Sequence, residues 1–83
     1  MDRDTVFQEL KQTLAERLGI EESKIQMDSR LTDNGLGIDS FSFVELLFVI
    51  KDKFGVEIKK DDIPKISTIK DVVEYIISKS KGD

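Results

Sequence analysis

The sequence predicts an all-α fold: a small four-helix bundle of three main helices and a short third helix, with a long loop between the first two. Two observations predict it. Apolar residues recur at three- and four-residue spacing along three separate segments, and nothing alternates with period two for long enough to make a sheet. At 83 residues the chain reads as one domain, 1–83, with room for one modest core.

The first helix is expected from about Thr5 to Leu18, where Val6, Phe7, Leu10, Leu14 and Leu18 share a face and Gly19 follows as a C-terminal stop. From Ile20 to Asp39 the pattern loosens into a long loop pinned by Ile25, Met27, Leu31, Leu36 and Ile38. Loops of around twenty residues are uncommon in compact domains and often functional when ordered, which favours a site at one end of it. The second helix is expected from about Ser40 to Phe54, closed by Gly55, with Phe43, Leu47, Ile50 and Phe54 in one sector and Leu46 beside them as the core face. Val56 and Ile58 lead into a single short turn from about Lys60 to Ile63, before Pro64 restricts the backbone. The last helix spans roughly Ile69 to Lys79 on the stripe Ile69, Val72, Val73, Ile76 and Ile77, and Thr68 with Asp71 reads as a capping box that uses Asp.

Composition excludes several function classes. The chain has neither Cys nor His, so the usual thiol nucleophile, the usual general base and the commonest zinc ligands are missing, and catalysis is not expected. With 13 basic against 17 acidic residues the formal charge is -4, and no dense basic stripe exists to meet nucleic acid. The longest apolar run, Leu46 to Ile50, is too short to span a bilayer, and MDRDTVFQEL has no leader pattern. A cytoplasmic monomer is the expectation. Glu21, Glu22, Asp28, Asp33 and Asp39 read as a solvated acidic surface. An EF-hand loop started at Asp28 fails, because its third position is Arg30 and its sixth Asp33.

Ser40 is left at the junction of loop and second helix. A serine there is ordinarily a cap, its oxygen accepting a backbone N–H. Asp39 competes for that role. With Asp39 as cap, Ser40 becomes the first helical residue, its hydroxyl outward at the positive end of the helix dipole, where an esterified phosphate is favoured by about 0.3 to 1 kcal/mol.

The segments Leu36-Gly37-Ile38-Asp39-Ser40-Phe41, Val44-Glu45-Leu46, Phe54-Gly55-Val56-Glu57-Ile58 and Ile66-Ser67-Thr68-Ile69-Lys70-Asp71-Val72-Val73-Glu74-Tyr75-Ile76 together resemble the acyl carrier proteins over nearly the whole chain. The resemblance implies a carrier domain and not an enzyme. It implies that a phosphopantetheinyl transferase (holo-carrier synthase) joins the Ser40 hydroxyl to 4'-phosphopantetheine from coenzyme A, with Asp39 recognised by the transferase. The arm's thiol then holds acyl cargo as thioesters while acyl-transferring and condensing enzymes dock on the second helix. The bundle could shelter a growing chain.

Within that family the second helix is typically acid-rich, whereas here Glu45 and Asp52 are balanced by Lys51 and Lys53. Phe41 stands for the commoner Leu, Ser42 for a frequent Asp, and the loop before Leu36 is one residue longer than expected. These departures count against ordinary housekeeping fatty-acid synthesis, and the expectation is a discrete or specialised carrier in fatty acid, lipid or polyketide biosynthesis. The alternatives are an aminoacyl or peptidyl carrier, and a helical adaptor without a cofactor. Phe41, Val44 and Phe48 fall together roughly opposite the Leu47 and Ile50 sector, so the helix is apolar on more than its core side. With Glu45, Lys51 and Asp52 they make the expected partner surface, and extra core covered by the long loop is the alternative.

Overall fold

The computed structural model describes residues 2–32 and 34–80. Three α-helices form: α1, Arg3–Leu18; α2, Ser40–Phe54; and α3, Ile69–Ser80. Two short 3₁₀ helices, Glu22–Lys24 and Lys60–Lys65, complete the bundle, and among the described residues no strand forms. α1 packs against both α2 and α3 and is their common neighbour.

Each boundary has a local cause. α1 begins two residues ahead of the start expected from its apolar stripe, because Asp2 caps it by accepting the Thr5 N–H at 2.7 Å. Gly19 and Gly55 end α1 and α2 in the left-handed conformation, at φ 72° and 68°, a region that only glycine enters without a Cβ penalty. At α3 the expected box forms: the Asp71 N–H donates to Thr68 Oγ1 at 3.3 Å, and the Asp71 carboxylate accepts from the N–H groups of Ser67 and Thr68 at 2.8 and 3.1 Å. Those N–H donors, Ser67 first, hold the Asp71 carboxyl below its ordinary value.

The short third helix differs from its expected extent. It winds on through Pro64 to Lys65 as a 3₁₀ helix. Proline's fixed φ suits that winding, and so short a helix forfeits little when one N–H is missing.

The core is built by Val6, Leu10 and Leu14 of α1, Leu46 and Ile50 of α2, and Ile69, Val72, Val73 and Ile76 of α3. On α2 the inward line is Leu46, Val49 and Ile50, whereas Phe43, Leu47 and Phe54, expected at the core, are only half-buried against it. Phe7 and Leu18 of α1 are likewise half-buried. The inward line of α2 depends on what stands opposite each side chain, and a helical wheel does not contain that information.

The long loop is pinned as expected: Ile25, Leu31 and Ile38 are buried, and Met27 and Leu36 are half-buried. Backbone bonds add a second hold. Leu31 donates to the Ser67 carbonyl at 2.9 Å, and the first N–H groups of α3, on Ile69 and Lys70, donate to Ser29 and Met27 at 3.0 and 2.8 Å. Helix-end donors that would otherwise face water are thereby used to seat the loop. Of the five loop acids, Glu21, Glu22, Asp28 and Asp39 are exposed, and Asp33 lies outside the described residues.

Gly35 is required by contact. A Cβ there would overlap the carbonyl of Arg30, whose oxygen already accepts the Leu36 N–H at 2.8 Å. Gly35→Ala should therefore cost about 1–3 kcal/mol, as overpacking against backbone does. A denaturant melt equal to wild type would show that the loop does not pack this closely.

Candidate functional site

The approach to α2 places one residue after another. Gly37 turns the chain at φ 70°. Ile38 is buried, and its N–H donates to the Leu31 carbonyl at 2.8 Å, which anchors the entry to the helix. Asp39 follows in extended conformation, and its Oδ1 accepts the Ser42 N–H at 2.8 Å. That bond, foremost among the causes, holds the Asp39 carboxyl below its ordinary value, so it is ionised at neutral pH.

Asp39 thus takes the cap, and Ser40 is the first residue of α2, exposed to solvent. The helix end adds a partial positive charge beside its hydroxyl.

An open groove of ≈ 480 Å³ begins at Asp39 and Ser40. Phe43 and Leu47 of α2 line one side, and Ile63 and Ile66, in and just after the Lys60–Lys65 helix, line the other. This explains why Phe43 and Leu47 are not fully buried: they line one side of an open groove. Nothing in the hydrophobic pattern distinguishes a groove side chain from a core side chain.

The remaining expected site residues lie along the outer face of α2. Phe41, Val44 and Phe48 are 82 %, 51 % and 70 % exposed, too open to belong to the core. A shallow concavity joins them to Glu45 and to Arg17 of α1. Arg17 also pairs with Asp52 at 3.3 Å, which ties Asp52 to the α1 edge of the stripe. On the opposite edge Lys51 pairs with Glu57 at 3.8 Å, and both line a depression with Val44, Leu47, Phe48 and Ile58. These are exposed pairs and contribute little stability.

Among the described residues no cluster of acidic side chains could hold a metal ion. The arrangement offers an exposed serine, a fixed carboxylate beside it and an open, mostly apolar groove that both residues line. Residues 8–76 match the family described as the phosphopantetheine attachment site. Over 77 residues the chain is 38 % identical to the acyl carrier protein of Thermotoga maritima, covering 93 % of this chain and 94 % of that one.

The chain belongs to the acyl carrier protein family.

Members of this family are carriers and not catalysts, and their cofactor is 4'-phosphopantetheine. The residues present fit that group: Ser40 is exposed, and the adjoining groove is predominantly apolar. Among the described residues no helix is long and apolar enough to cross a membrane.

Proposed function

We propose that Ser40 is the attachment residue and that the chain, as one carrier unit, presents acyl intermediates to enzymes of lipid or polyketide assembly. The observation that carries the reading is the cap at Asp39, which leaves the neighbouring Ser40 hydroxyl outside the helix hydrogen-bond network and open to a transferase. Ser40 Oγ forms the new phosphoester bond as the pyrophosphate of coenzyme A is cleaved, adenosine 3',5'-bisphosphate leaves, and the hydroxyl proton passes to the transferase. Once attached, the group supplies the thiol that this chain lacks. Asp39 offers the transferase a carboxylate whose position is fixed by its bond to Ser42. The groove walls Phe43, Leu47, Ile63 and Ile66 exclude water from apolar cargo.

Intact mass after incubation with coenzyme A and a broad transferase tests the reading. One added phosphopantetheine, located by proteolysis on the peptide that contains Ser40, supports it. An unmodified chain would favour an adaptor that uses α2 only as a binding surface.

The Phe41–Val44–Phe48 stripe is the proposed docking surface for partner enzymes, and its charge supports a specialised role. Glu45 and Asp52 are balanced by Lys51 and Lys53, and Asp52 is further offset by Arg17. Surface charge chiefly sets association rate and partner choice. A housekeeping fatty-acid enzyme with a basic docking patch should therefore use this carrier slowly, and Lys51→Glu with Lys53→Glu should speed that use, less so at high salt. Wild-type rates equal to those of an acid-rich carrier would rule out specialisation by charge.

A further inference from the structure

The wall of the groove opposite α2 is a short element with few supports. The Lys60–Lys65 helix has no side-chain cap of its own at Lys59. The missing support comes from α3. The hydroxyl of Tyr75 accepts the Lys59 N–H at 3.2 Å and donates to Asp62 Oδ2 at 2.8 Å, so one side chain binds both the start of the short helix and its middle. Burial, first among the causes, pushes the Tyr75 hydroxyl above its ordinary value, so it stays protonated and remains a donor at neutral pH. The same bond is the main reason that the Asp62 carboxyl lies below its own. Ile63 follows Asp62 directly and Ile66 comes three residues later, and these two side chains are the groove wall.

We propose that Tyr75 and Asp62 are positioning residues for the cargo groove: by tying the Lys59–Ile66 segment to α3 they fix the wall that faces Phe43 and Leu47, and so set how well the groove closes over an apolar chain. The tie touches neither Ser40 nor its cap. Its control of cargo rests on Ser40 being the attachment residue, whereas its hold on the wall does not.

The experiment has two arms, with Tyr75→Phe, Asp62→Ala and Asp62→Asn beside wild type. The first arm follows amide hydrogen exchange in the unmodified protein. The Asp62 and Ile66 amides, which donate to Lys59 and Ile63 at 2.9 and 3.0 Å, should exchange about ten-fold faster in Tyr75→Phe and Asp62→Ala, as expected when one or two hydrogen bonds holding a local unit are lost. Core amides of Val49 and Ile50 should be unchanged. Asp62→Asn keeps an oxygen that can accept from the tyrosine and should stay near wild type. The second arm loads Ser40 from octanoyl-coenzyme A with a broad transferase and follows thioester cleavage by hydroxylamine. Cleavage should be several-fold faster in Tyr75→Phe and Asp62→Ala, and no faster in Asp62→Asn.

Unchanged exchange at Asp62 and Ile66, or faster exchange spread equally over the core, would overturn the tie. Faster exchange with unchanged cleavage would overturn its control of the groove. Failure of wild type to load would instead remove the attachment reading, and the exchange comparison would then decide the tie alone.

Discussion

Ser40→Ala should leave the chain unable to take up phosphopantetheine while keeping its fold intact. The loss should be complete, because the ester needs an oxygen at that position and the neighbouring Ser42 is differently placed. Ser42 is half-buried in the first turn, and its N–H is engaged by Asp39. Stability should change by less than about 0.5 kcal/mol, as is usual for an exposed side chain that holds no cap. Intact mass and helical circular dichroism, measured on the same samples, check both halves. Ser42→Ala should still be modified, and modification of Ser40→Ala would defeat the assignment. Asp39→Asn refines the result: asparagine caps as well as aspartate does, so the helix start survives while the charge is removed. Slower modification of that variant would assign transferase recognition to the carboxylate charge, and an unchanged rate would confine Asp39 to its cap.

The second large effect separates the two apolar sides of α2. Leu46→Ala should cost about 2–5 kcal/mol, since Leu46 is 1 % exposed and its truncation opens a cavity in the core. Phe48→Ser, at a position 70 % exposed, should cost less than about 1 kcal/mol yet weaken transfer to and from partner enzymes. The half-buried Leu47 falls between them: Leu47→Ala should lose less stability than Leu46→Ala, because the groove already admits water to one side of the side chain. Denaturant melts beside transfer rates decide the matter. A Phe48→Ser protein as unstable as Leu46→Ala would place Phe48 in the core and remove the stripe from the docking surface.

Much of the fold and of the candidate site is legible in the sequence through local chemistry. Gly19 and Gly55 mark helix ends because few other residues adopt a left-handed C-cap, and Thr68 with Asp71 marks a helix start because side-chain oxygens at that spacing reach backbone N–H groups. The apolar stripes locate α1 and α3 to within two residues, and the Asp39-Ser40 pair locates the candidate site, because the competition for one cap involves only neighbours in the chain. The second apolar face of α2 is likewise legible, since Phe41, Val44 and Phe48 lie too far around the wheel to share a core with Ile50.

The tertiary structure alone decided which of the inward-looking residues of α2 are core and which are groove. Periodicity fixes the angle of a side chain about its own helix, but burial depends on what stands opposite. Leu46 and Val49 are closed off, while Phe43 and Leu47 face the gap toward Ile63 and Ile66. The same holds for the supports that join distant parts of the chain. The backbone bonds from Leu31 to Ser67 and from Lys70 to Met27, and the reach of Tyr75 across to Lys59 and Asp62, link positions with no shared motif. A donor and an acceptor so far apart in sequence carry no local signal of each other, because only the folded chain brings the long loop and the Lys60–Lys65 segment within hydrogen-bonding distance of α3 and the turn before it.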